Sequence, residues 1–159
     1  MINDNSSDNS WDVLKKLSKN YNFLTCINLT KNFGQHNAIM AGLNNAVGDC
    51  MITLDDDLQH PPEFFPEIIN KLKNFDVCYT NYKNRKHVGW KRAVSALNNF
   101  VSSFLLNKPL EIYMSSYRGI NKKIVDEIIK FKKPDVYLDG LIVNTTKNIG
   151  MITVDHHAR

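Results

Sequence analysis

Long apolar runs are missing from this sequence. No stretch approaches the roughly 18 consecutive apolar residues of a membrane span, and the polar, acidic start from Met1 to Trp11 lacks the apolar segment of a secretion signal. Cysteine is scarce too. Cys26, Cys50 and Cys78 are odd in number, widely spaced and set in apolar runs, which favours buried free thiols in a reducing, cytosolic compartment over a disulfide framework or a metal knuckle. Without a secretion signal, the N-x-S/T triplets at Asn5, Asn28 and Asn144 carry no glycosylation meaning. With 7 Gly and 5 Pro in 159 residues, a collagen-like or low-complexity chain is excluded. Charge of one sign is also lacking: 20 Lys+Arg against 16 Asp+Glu give +4, too mild to demand a polyanion such as nucleic acid, though a phosphate-bearing ligand would be welcome. What is present, 43% hydrophobic and 23% charged residues, suits one soluble globular domain with its own core.

Periodicity predicts strands alternating with helices. Trp11, Val13, Leu14, Leu17 and Tyr21 follow a helical spacing that Ser6, Ser7 or Asp8 can cap, and Phe23 to Leu29 is a short β-rich run. Asn32-Phe33-Gly34 is turn material before a helix through Ala38, Ile39, Ala41, Leu43 and Ala46. Cys50 to Leu54 reads as a buried strand, and Pro61-Pro62-Glu63 opens a helix running to about Lys73, since proline in a first turn loses no hydrogen bond. Further on come a strand at Asp76 to Thr80, a long amphipathic helix at Gly89 to Leu106, and a strand-like turn at Tyr113 to Ile120. A helix at Lys122 to Phe131, another at Tyr137 to Val143 and a final strand at Gly150 to Asp155 complete the chain. The expected architecture is an α/β sheet covered by helices on both faces.

The strongest chemical signal is Asp55-Asp56-Asp57-Leu58-Gln59 at the carboxyl end of a buried strand, the edge where open α/β sheets bind ligands. Side chains alternate along extended backbone, so Asp55 and Asp57 share one side with Gln59 while Asp56 faces away. Those hard oxygens suit Mg²⁺ or Mn²⁺ bridging two phosphates; the competing reading is a solvated acidic loop capping the Pro61 helix. Gly34 and Gln35 stand before a helix start, where anions or ligand hydroxyls can be held, or where the turn simply caps the helix.

Taken together, N-x-G-Q-x-x-A-I-x-A-G-L from Asn32 to Leu43, A-x-G-D from Ala46 to Asp49 and L-D-x-D-L-Q-x-P-P-E from Leu54 to Glu63 resemble the family-two, GT-A glycosyltransferases. Within that family the chain is most similar to polyprenyl-phosphate sugar transferases of the dolichol-phosphate-mannose synthase type. The likeness continues through Arg85, Trp90-Lys91-Arg92, Ser115-Ser116-Tyr117-Arg118 and Val154 to Arg159, and so covers essentially the whole chain. It implies a GT-A, Rossmann-like, mostly parallel sheet and transfer, with inversion, of a sugar from a nucleotide-sugar to a polyprenyl phosphate or another glycan or lipid acceptor. It further implies a peripheral position at the cytosolic face of the membrane, in cell-envelope glycan synthesis.

By that resemblance Asp55, Asp57 and Gln59 hold the divalent metal on the donor diphosphate. Asp4 matches an aspartate that contacts the nucleobase, unless it caps the Trp11 helix. Arg85, Arg92 and Arg118 match cations near the donor or acceptor phosphates. Lys83, Lys86 and Lys91 would join them only if they share a face. His156, His157 and Arg159 resemble an H-H-x-R segment beside the site. Asp139 resembles the E-D-x-x-L-like element that supplies a base in other inverting GT-A enzymes, or it is a helix cap beside Gly140.

The sequence also departs from the pattern. Met1-Ile2 stands where the family's second strand finishes, the chain stops ahead of a G-x-S-K-Y-like loop and membrane anchors, and Ile112 replaces an aspartate. These features lead to the expectation of a partial GT-A domain over residues 1–159, completed by a missing segment or a membrane-anchoring partner. The alternative is a non-catalytic remnant that binds nucleotide or pairs with another chain.

Overall fold

The computed structural model describes residues 1–82, 113–134 and 136–154. The helix expected at Gly89 to Leu106 lies outside these residues, as do Lys83, Arg85, Lys86, Lys91, Arg92, Ile112, His156, His157 and Arg159. The chain divides into two compact units, Met1–Val47 with Ile129–Leu138, and Gly48–Ile128 with Asp139–Arg159.

In the first unit, β1 (Ile2–Asn3) and β2 (Ile27–Asn28) pair in parallel through α1 (Ser10–Asn20), a β-α-β crossover, and α2 (Gln35–Asn45) follows. Of the α1 face expected from sequence, Leu14 is buried and Trp11 and Leu17 are half-buried, at i, i+3 and i+6. Val13 stays exposed because it lies about 100° round the helix from Leu14, and Tyr21 because it is the C-cap, where the backbone has already turned extended. The N-cap is Asn9, not one of the expected Ser6, Ser7 or Asp8, and it makes no side-chain cap bond; Asp8 Oδ1, one residue earlier, accepts the Ser10 N–H at 2.9 Å. The second strand shrinks to two residues of the run Phe23 to Leu29, and Phe23 is itself exposed.

In the second unit a sheet of β3 (Cys50–Thr53), β4 (Val77–Tyr82), β5 (Arg118–Asn121) and β6 (Ile149–Val154) has the order β3-β5-β4-β6. Strand β5 runs antiparallel to β3 and β4, while β6 runs parallel to β4, so three strands point one way and β5 the other. Central β4 is buried on both faces, as its apolar run Val77-Cys78-Tyr79 predicts. The proline-led segment splits into a 3₁₀ turn, Pro62–Phe64, and α3 (Phe65–Lys71).

One sheet face packs Ile68 and Leu72 against Cys78, Tyr117, Ile152 and Val154. Helix α3 comes so close to β5 that a Cβ on Gly119 would lie 2.4 Å from Ile68 Cγ2, which is why glycine stands there. Asn121 closes the α3 end by donating to the Leu72 and Phe75 carbonyls at 3.0 and 2.9 Å. Helix α4 (Lys122–Ile128) buries Ile124, Val125 and Ile128, and α5 (Leu138–Thr145) buries Ile142 and Val143. The first starts at Lys122 as expected but ends at Ile128, short of Phe131, and the second runs from Leu138 to Thr145 where Tyr137 to Val143 was expected. Among the described residues no helix is long and apolar enough to cross a membrane.

Candidate functional site

The β3/β5 register builds the site. Thr53 pairs with Arg118, and continuing that register by two residues sets Ser116 opposite Asp55. Ser116 Oγ donates to Asp55 Oδ2 at 2.7 Å, while Thr53 Oγ1 donates to the Ser116 carbonyl at 2.7 Å. The carboxylate is thus held from the strand beside it. Leu54, Asp56 and Leu58 are exposed whereas Asp55, Asp57 and Gln59 are half-buried, although β3 ends at Thr53 and the loop bends instead of continuing as the extended backbone expected from the sequence. Asp57 Oδ1 accepts the Gln59 N–H at 3.1 Å.

Leu58 turns the chain back with φ +63° and is 88% exposed. A left-handed conformation at a residue with a Cβ costs about 1–2 kcal/mol, which the pinned flanks must offset. Those flanks are His60, whose Nδ1 accepts the Asp55 N–H at 2.9 Å, and Pro61, whose carbonyl accepts the Tyr117 hydroxyl at 2.6 Å. Burial pushes the Tyr117 phenol up to about 12 and keeps it a donor. None of Ser116, His60 and Tyr117 is marked by residue type alone; a strand register and a left-handed turn bring them to Asp55.

Arg118 is 2% exposed. Its Nη1 pairs with Asp139 Oδ1 and its guanidinium lies 5.4 Å from the centre of the Tyr79 ring, directly opposite on β4. Tyr79 donates to the same Asp139 oxygen at 2.7 Å, and burial holds its phenol far above the usual range. The structure therefore brings Arg118 and Asp139 together in the interior of the unit.

In the first unit Asp4 spans the turn before α2, accepting the Phe33 N–H at Oδ1 and the Gly34 N–H at Oδ2, both at 2.8 Å. Gly34, with φ +85° and ψ 160°, needs the freedom of glycine to open α2 at Gln35. Asp4 thus shapes this turn, and Asp8 rather than Asp4 serves α1.

Among the described residues no three His, Cys, Asp or Glu side chains gather to hold a metal by themselves. The donor set Asp55, Asp57 and Gln59 nonetheless fits Mg²⁺ or Mn²⁺, hard ions that keep water and take phosphate oxygens beside one or two carboxylates.

Residues 1–129 match glycosyl transferase family 2. Two curated relatives are undecaprenyl-phosphate 4-deoxy-4-formamido-L-arabinose transferases, from Pseudomonas syringae pv. syringae (strain B728a) and Proteus mirabilis (strain HI4320). They are 32% and 31% identical across all of this chain and 48% and 49% of their own lengths. The chain thus spans about half the length of these relatives. Among solved structures, S. aureus TarS 1–349 in complex with UDP matches with a TM-score of 0.64 at 15% identity, over 98% of this chain and 48% of that one. Glucosyl-3-phosphoglycerate synthase from Mycobacterium tuberculosis, in complex with Mn²⁺, UDP-glucose and phosphoglyceric acid, matches at 0.63 and 13% identity, over 99% of this chain and 60% of that one. These likenesses identify the fold as part of a GT-A fold. With its carboxylate-bearing loop at the end of β3 and a family match over most of its length, the chain belongs to glycosyl transferase family 2.

Proposed function

We propose that this chain carries the donor site of a metal-dependent, inverting glycosyltransferase that moves a sugar from a nucleotide-sugar to a polyprenyl phosphate at the cytosolic face of a membrane. The observation that carries it is the loop after β3, where Asp55, Asp57 and Gln59 are half-buried between exposed neighbours, in a chain similar throughout to two undecaprenyl-phosphate transferases. Asp55, Asp57 and Gln59 would hold Mg²⁺ or Mn²⁺, which when bound supplies Lewis-acid neutralisation of a diphosphate leaving group.

The chain's own residues orient and exclude. Ser116 fixes the Asp55 carboxylate and Tyr117 ties down Pro61, so the loop meets the donor preorganised. A phosphate acceptor is already ionised near neutral pH and needs no general base. Where the acceptor is a hydroxyl instead, Asp139 is the base candidate, with Arg118 and Tyr79 setting its orientation. Within the first unit Asp4, Gly34 and Gln35 are assigned to nucleotide binding, Asp4 by shaping the Phe33–Gly34 turn. Arg85 and Arg92, by family resemblance, are assigned to phosphate.

The test combines binding with turnover. At about 100 times Kd, UDP with Mn²⁺ should raise Tm by roughly 5–10 °C, and Asp57→Ala should reduce that shift to the one UDP gives in chelator. Undecaprenyl phosphate in vesicles should then accept label from a UDP-sugar. No thermal shift with any nucleoside diphosphate and metal would contradict donor binding. Binding without sugar release from any donor would favour a non-catalytic nucleotide-binding chain.

A further inference from the structure

Resting on the reading of the β3 loop as the metal site, we infer that His60 is a positioning residue for Asp55, acting through its Nδ1 lone pair rather than as a ligand. The Asp55 N–H lies beyond the end of β3, and His60 Nδ1 receives it at 2.9 Å. The ring is itself fixed: its centroid is 5.1 Å from that of Tyr117 at 23° and 6.3 Å from that of Tyr82 at 16°, both stacked. Tyr117 is anchored in turn by its hydroxyl on the Pro61 carbonyl and by an edge contact with Phe65 at 6.2 Å.

Asp55 is therefore held at two points by different neighbours. Ser116 sets the carboxylate and His60 sets the backbone from which it projects. Groups that orient a metal's ligands typically change affinity 10–100-fold when removed. The residue type needed at position 60 is one with an acceptor two bonds beyond Cβ, which asparagine also supplies at Oδ1 and phenylalanine does not.

The experiment compares the full chain with His60→Phe, which keeps a stacking ring without the acceptor, and His60→Asn, which keeps the acceptor without the ring. Mn²⁺ uptake in the presence of UDP is read from the free-ion paramagnetic resonance signal, UDP affinity is measured separately in chelator, and hydrogen exchange reports the Asp55 amide. His60→Phe should weaken Mn²⁺ uptake about tenfold or more and speed Asp55 exchange, with metal-free UDP affinity unchanged, and His60→Asn should restore both. Wild-type uptake in His60→Phe, or equal loss of Mn²⁺ and metal-free UDP binding, overturns the inference alone. Absence of Mn²⁺ uptake by the wild-type chain overturns the metal-site reading, and the inference with it.

Discussion

Arg118 is placed among phosphate-binding cations by family resemblance, yet its guanidinium lies inside the second unit against Asp139 and the Tyr79 ring. Replacing one member of a buried ion pair strands the other charge, so Arg118→Met should lower unfolding stability in urea by about 3–5 kcal/mol. A variant within about 0.5 kcal/mol of wild type would show that Arg118 is a surface residue in solution. The same scale shows what could be read from residue types. Asp55, Asp57 and Gln59 stand out in the sequence as candidates because three oxygen-bearing side chains recur at period two after an apolar strand. The contacts of Ser116, His60 and Tyr79 do not show in residue types, because their partners 61, 5 and 60 positions away are brought near by strand register, a left-handed turn and the placement of α5 respectively.

At the scale of elements, the apolar runs at Cys50 to Leu54 and Asp76 to Thr80 announced β3 and β4, whereas the reversed direction of β5 was hidden. Strand direction depends on the path of the chain between elements, and a four-residue strand carries no mark of it. Packing supplies a sharper test. Gly119→Ala forces a Cβ into Ile68 of α3 and should destabilise by about 1–3 kcal/mol. Combined with Ile68→Ala, which removes the opposing methyl, the cost should be less than additive in a double-mutant cycle, and strict additivity would contradict the close approach.

The opposite end of β4 sets an acid limit. Lys123 Nζ and Thr146 Oγ1 bond the Asp76 carboxylate at 2.6 and 2.7 Å and hold it below its ordinary range, the Lys123 contact contributing most. A depressed folded-state value stabilises the protein above the unfolded carboxyl pKa of about 3.9 and is lost as pH falls below it. Asp76→Asn should flatten the acid limb of a stability-versus-pH curve while leaving its neutral shape intact. An unchanged acid limb would show that the pair is not maintained in solution.

For the whole molecule, composition indicated a globular chain, the alternation of strand and helix patterns an α/β one, and family motifs marked the acidic loop after β3 and the turn before α2. Two compact units, one carrying Asp4 and Gly34 and the other Asp55, Asp57 and Gln59, were not legible, because hydrophobic patterning reports which faces are buried and not which elements cluster. Family membership extends to both units, since the match runs from residue 1 to residue 129. The central claim is that the loop after β3 takes a divalent ion together with a nucleoside diphosphate. Its most direct test is a crystal of this chain grown with Mn²⁺ and UDP and measured at the manganese absorption edge. An anomalous peak is expected within coordination distance of Asp57, shared with diphosphate oxygens; ordered UDP with no peak at that loop would refute metal binding there.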